Sequence, residues 1–131
     1  MMKKLILVII LITISACSAN YSPIAYENAI KAKNDVLTTV ELSTNPYPDH
    51  STKVDSLKLQ LNAYYLFELE RDHNKATVEI WKRIITDKGV VTKYIELWRN
   101  QNKISVFTKN AKKLQLEELF NDLIELEKAK Q

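Results

Sequence analysis

The hydrophobic pattern divides the chain into one unbroken apolar run followed by segments of helical period. Leu5 through Ile12 is continuous Leu, Ile and Val, and the run extends to Ile14 with only Thr13 interrupting it. Further on, Ala25, Ala29, Ala32, Val36 and Val40 recur at spacings of three and four, the pattern of a helix that buries one face, and Ile30 and Leu37 widen the stripe. Val54, Leu57, Leu61, Tyr64 and Tyr65 mark a second helix running to about Arg71. Leu59, Ala63, Leu66 and Phe67 lie on its flank, which predicts that it is broadly buried. Val78, Trp81, Ile84 and Ile85 give a third stripe, and Val91, Tyr94, Ile95 and Trp98 give a fourth, either a separate helix or a kinked extension of the third. The last helix is predicted from about Ser105 to Lys128, with a stripe of Phe107, Ala111, Leu114 or Leu116, Leu119, Phe120, Leu123 and Leu126.

Polar residues and chain breakers punctuate these stripes. Ser22-Pro23 is a helix start, because Ser caps the free amides of a first turn and Pro is tolerated at the first helical position. Asn45-Pro46-Tyr47-Pro48-Asp49 ends the first helix, with Asp49 or Ser51 placed to cap the second. Asp72-His73-Asn74 and Asn100 to Lys103 are polar breaks, and Gly89 suits a left-handed stop or hinge. Only Ile104 to Thr108 hints at a strand, and no stretch repeats at a solenoid period. The expectation is an all-α fold, an up-and-down bundle of four to five helices after a cleaved signal peptide. Its divisions are a signal peptide at 1–16, a lipidated tether at 17–23 that reaches about 20 Å when extended, and a helical domain at 24–131.

The first residues carry the sharpest signal. Met1-Met2-Lys3-Lys4 is a short basic start, and positive charge of this kind stays on the cytoplasmic side. The apolar run behind it covers about 15 Å as a helix, half of a bilayer core, which suits a signal peptide and not a stable span. Ile14-Ser15-Ala16-Cys17 follows: an aliphatic residue, two small ones and the only cysteine of the chain. This resembles the lipobox of bacterial lipoproteins. The resemblance implies diacylglycerol on the Cys17 thiol, cleavage between Ala16 and Cys17, and acylation of the new amino group. Two or three acyl chains hold a membrane firmly where one does not. Ser18 stands where an inner-membrane retention signal would place Asp, so the resemblance points to the outer membrane, facing the periplasm.

Composition narrows the classes that remain. One glycine and three prolines in 131 residues favour long helices over sheets joined by tight turns. The 19 Lys and Arg against 16 Asp and Glu include Lys3 and Lys4, so the mature chain has 17 against 16, a net charge of +1. A nucleic-acid binder needs a clustered basic face, which this balance argues against. One cysteine allows no internal disulfide, and lipidation would remove an exposed thiol from an oxidising envelope.

No catalytic or metal-binding constellation is expected, and no cofactor. His50 and His73 are the only histidines and sit in different breaks, whereas a metal site needs three or four convergent ligands. No serine lies in a glycine-flanked elbow, and no glycine-rich loop is present to cradle a phosphate. Glu117 and Glu118 point about 100° apart on a helix and do not converge by themselves, and Glu68 and Glu70 diverge further. Lys109, Lys112 and Lys113 form one basic cluster and Lys82, Arg83 and Lys88 another; each is a solvated face or, given the short tether, a contact to lipid headgroups. Trp81 and Trp98 are either core filler or anchors for a partner protein. Tyr47, between two prolines, is either a docking knob or a ring folded back over the end of the bundle.

Tyr47-x-Asp49-His50, Asn74 through Trp81, Leu97-Trp98 and Leu126-Glu127 resemble an uncharacterised family of small helical envelope lipoproteins, which implies only a lipid anchor and a helical domain. The leading expectation is therefore a lipid-anchored, non-catalytic envelope protein of adaptor, exclusion or immunity type that binds another protein, with Tyr47, Trp81 and Trp98 as candidate contacts. The alternative is a periplasmic carrier holding an apolar ligand or lipid in a bundle cavity lined by Tyr64, Phe67, Trp81 and Trp98. A third reading, a hydrolase of cell-wall material, needs a convergent acid pair in a cleft.

Overall fold

Two of the helices, the first and the last, begin where a serine side chain satisfies a free amide of the first turn. The computed structural model describes residues 19–131; the signal peptide expected at 1–16, the cleavage expected between Ala16 and Cys17, and the lipidation expected at Cys17 lie outside the described residues. Helix α1 is Pro23–Glu41, and the Ser22 hydroxyl accepts a hydrogen bond from the Ala25 amide at 3.1 Å, with Pro23 in the first turn. Two short 3₁₀ turns, Leu42–Thr44 and Tyr47–Asp49, carry the chain around. Helix α2 is Ser51–Leu69; its cap position is held by His50, and no side chain bonds its first amides. Helices α3, Lys75–Ile85, and α4, Val90–Gln101, follow. Helix α5, Val106–Lys128, starts from Ser105, whose hydroxyl accepts from the Thr108 amide. The described residues form an all-α bundle, and there is no strand among them.

Five helices make four legs. Helix α1 runs antiparallel to α5, since Ser22 meets Glu127, Lys33 meets Asn121 and Glu41 meets Lys109. Helix α3 starts beside the end of α5, where Thr77 meets Lys130. Helix α4 ends at the opposite pole, where Trp98 meets Asn45 and Asn102 meets Tyr47. Together α3 and α4 cross the bundle once, so they are one leg broken at residues 86–89. The two poles are called here the tether end, where the chain enters at Ala19, and the far end, where α1 turns into α2 and α4 turns into α5.

Gly89 departs from expectation. Its φ is −69° and its ψ 152°, extended backbone at the start of α4, not a left-handed stop. A glycine is required for another reason: a Cβ would lie 2.5 Å from the Ile84 carbonyl oxygen. The break is tight because the chain folds back onto the end of α3. Left-handed conformations fall instead on His73 and Asn102, with φ of 55° and 68°, in the two connections that precede α3 and α5.

The core is packed by Ala29, Val36, Leu61, Ile84, Leu116 and Leu123 around Trp81, Trp98 and Phe120. Trp81 meets Phe120 edge-on at 6.4 Å between ring centres, and the Trp98 indole N–H donates to the Asn45 carbonyl at 2.9 Å. A void between Val36, Leu57, Ile95, Trp98 and Leu116 measures about 10 Å³, at or below what one water needs.

Two helices bury the face their pattern predicts but leave other apolar positions open. Helix α2 buries Val54, Leu57 and Leu61, but its flank is open: Leu59 is 75% exposed and Leu66 50%. Helix α5 carries two apolar stripes. Leu116, Phe120 and Leu123 face the core, while Phe107, Ala111 and Leu114 face outward. The first half of α5 has no further helix laid over that outer face among the described residues.

Candidate functional site

Two places hold chemistry that the core does not account for. The first is the tether end. Glu68, from the last turn of α2, and Glu127, from the last turn of α5, are both buried. Arg71 lies between them, one nitrogen 2.9 Å from Glu68 Oε2 and the other 2.8 Å from Glu127 Oε1. Lys130 donates its three protons to Glu127 Oε2 at 2.6 Å, Asn74 Oδ1 at 2.9 Å and Thr77 Oγ1 at 2.9 Å. The Asn74 amide nitrogen in turn donates to the Glu68 carboxylate and carbonyl. Two acids and two bases thus cancel in charge, as buried ions must.

This cluster also holds the incoming chain. The Ser22 amide donates to Glu127 Oε1 at 2.9 Å, and Arg71 donates to the Asn20 carbonyl. Burial alone would raise the pKa of Glu127, but the bonds from Arg71, Lys130 and the Ser22 amide outweigh it and hold the carboxyl below its ordinary value. The same two carboxylates hold the Arg71 guanidinium above its ordinary value, although burial opposes this. Glu127 therefore stays ionised near neutral pH with both oxygens occupied, and neither is free to take a proton from a substrate. The convergent acid pair required for hydrolysis is present in outline, but Arg71 and Lys130 make it a clamp.

Beside the clamp lies an open groove of about 580 Å³, lined by Ala19, His73, Ala76, Leu126, Ala129 and Lys130 among others. Ala19 itself is buried at its edge.

The second place is the outer face of α5 near the far end. Phe107 is 85% exposed, Leu114 65% and Val106 60%. Phe107, Ala111 and Leu114 are spaced by four and three residues and so share one face. Behind this face, Lys109 and Lys113 both pair with Glu41, which they hold to a pKa of about 2. These two lysines lie at the far end, away from the pole where the chain enters at Ala19.

The aromatic candidates separate clearly. Trp81 and Trp98 are 1% and 0% exposed, so neither can touch a partner; their expected role as contacts is corrected to core. Each was drawn inward because its stripe of helical period faces the bundle axis. Tyr47 is half-buried and folded back, its ring edge-on to Trp98 at 5.3 Å, with its amide donating to the Asn102 carbonyl at 2.9 Å. His50 stacks obliquely on the same indole at 6.0 Å, at the far end, whereas His73 lines the groove at the tether end. Among the described residues no three His, Cys, Asp or Glu side chains converge as metal ligands. No described helix is long and apolar enough to cross a membrane.

Sequence reasoning missed both the clamp and the open face of α5. A hint of the first was in the sequence: Glu68 and Glu127 occupy core-facing positions of their helices, where a lone acid is costly and so calls for a partner. No family model matches the chain, and neither a curated protein nor a solved structure matches it.

Proposed function

We propose that the chain is a lipid-anchored, non-catalytic envelope protein that binds another protein through the outer face of α5. In this reading residues 1–16 are a signal peptide, Cys17 carries the lipid, and the domain hangs from the outer membrane into the periplasm. The observation that carries the binding function is Phe107, 85% exposed, with Leu114 two turns along on the same face. A phenylalanine left in water forgoes roughly 1.5–3 kcal/mol of burial, and apolar side chains grouped on one face mark interaction sites. The carrier reading has less support, because the void found in the core among the described residues, between Val36, Trp98 and Leu116, measures about 10 Å³.

The test is photo-crosslinking in living cells, with a photoreactive amino acid at Ala111 and, as a control, at Glu125 near the other end of the same helix. The proposal expects one discrete protein adduct from Ala111, absent from Glu125 and lost when Phe107→Ser is added. Identical adduct patterns from both positions, or none from Ala111 across growth conditions, would sink it.

A further inference from the structure

The tether is much shorter than its sequence suggests. Residues 17–23 read as a free leash, yet Ala19 is buried, the Asn20 carbonyl is held by Arg71, and the Ser22 amide is held by Glu127. The chain is thus fixed to the bundle from Ala19 onward. Cys17 is two residues before Ala19, and two residues of chain reach at most about 7 Å however they fold. The polar layer on each side of a bilayer's hydrocarbon core is of the same order, about 5–8 Å. A lipid on Cys17 with its acyl chains in that core therefore draws the tether end of the bundle against the headgroups.

The surface found at that end is suited to the contact. Ile24, in the first turn of α1, is 59% exposed; Leu69 and Leu66, in the last turns of α2, are 46% and 50% exposed. Tyr21 and Tyr26, half-buried, pack at 6.4 Å between ring centres beside Ile24 in sequence. Apolar side chains with tyrosines beside them are the composition of a membrane–water interface. Charge does not drive the contact, because exposed Lys75 and Lys128 are offset by exposed Glu70 and Asp72, and the clamp is neutral.

We infer that the end of the bundle carrying Ala19, Ile24 and Leu69 is a membrane-seating face, locked to the short leash by the Glu68–Arg71–Glu127–Lys130 clamp. The inference rests on the lipid anchor proposed above. It adds an orientation: α5 stands away from the bilayer, and Phe107 lies roughly 30 Å out along it. The partner is then a protein with an apolar contact surface at that height, in the aqueous space, and not one embedded in the same leaflet.

The test uses the full-length lipidated protein in vesicles of phosphatidylethanolamine and phosphatidylglycerol. Nitroxide probes are attached to single cysteines introduced at Ile24, Leu69, Phe107 and Leu114, and their collisions with oxygen and with a water-soluble nickel complex are measured. The expected result is lipid contact at 24 and 69 and full water access at 107 and 114, unchanged between low and high salt. Equal water access at all four positions, or lipid contact at 107, overturns the seat. Vesicle flotation of Cys17→Ser decides the anchor separately: a variant that stays in solution supports the lipid, and one that floats like the parent overturns the anchor and the leash argument with it. A flexible Gly-Ser insertion after Ser18 is expected to leave flotation intact but release 24 and 69 from lipid; unchanged depth would overturn the role of the short leash.

Discussion

At the tether end, buried charges meet charges and donors meet acceptors; at the far end of α5, apolar side chains face water. Glu68, Arg71, Glu127 and Lys130 sit in low-dielectric surroundings where an unmatched group is costly, and among the described residues no buried side-chain polar atom lacks a partner. Phe107 and Leu114 sit in the reverse situation, exposed where burial would stabilise them. The first arrangement fixes geometry and resists change. The second contributes nothing to holding the bundle together and can be altered without unfolding it.

The strongest way to break the comparison is at the guanidinium. Arg71→Met leaves Glu68 and Glu127 buried without it, and removing one partner of a buried pair costs about 3–5 kcal/mol. Because Arg71 retains slight exposure, a loss of about 3 kcal/mol is expected in urea denaturation. A change below about 1 kcal/mol would reduce the clamp to an ordinary surface pair.

A smaller effect sharpens the same point through pH. The carboxyl of Glu127 is depressed in the folded state, so its stabilising contribution is complete above the ordinary glutamate range and disappears as pH falls through the folded value. Glu127→Gln is expected to cost about 2 kcal/mol at neutral pH and to lose less stability than the parent on acidification. Parallel acid limbs for the two proteins would contradict this. Glu41 is depressed as well, but it lies exposed between Lys109 and Lys113, where solvent screens the pair, so Glu41→Gln is expected to change the acid limb little.

The far end has a buried polar contact between two hydroxyls, Ser43 and Tyr94, with which to calibrate these effects. Ser43 Oγ donates to the Val40 carbonyl at 2.6 Å, so the Tyr94 hydroxyl is the donor in their 2.6 Å contact. Burial raises the pKa of Tyr94, which keeps that proton in place. Tyr94→Phe is expected to cost about 1 kcal/mol, the worth of one neutral hydrogen bond. The smallest expected effect is at the open face: Phe107→Ser with Leu114→Ser should alter stability by no more than about 0.5 kcal/mol while abolishing the crosslink from Ala111. A loss of several kcal/mol would place these side chains in the structural core after all.

Much of the fold was legible. Ser22-Pro23 and Ser105 start helices where they were expected to, because capping is a local matter of one hydroxyl and the amide three residues on. The α1 stripe from Ala25 to Val40 is buried as its spacing indicated. The reading of α2 as broadly buried failed at Leu59 and Leu66, and that of α5 failed at Phe107, Ala111 and Leu114. In both helices more than one face is apolar, and periodicity cannot say which of them a neighbour covers.

The sequence by itself determined the all-α class, the starts of α1 and α5 and the positions of the breaks, since these depend on residues within a few positions of one another. Only the tertiary structure decided that α3 and α4 form a single leg, that Trp81 and Trp98 lie inside, and that α5 keeps Phe107 in water. It alone brought Glu127 to Arg71 and to the Ser22 amide, partners 56 and 105 residues away. Those contacts exist because packing the apolar faces of α1, α2 and α5 brings their ends to one pole, and charges buried there must be matched by whatever the fold places beside them.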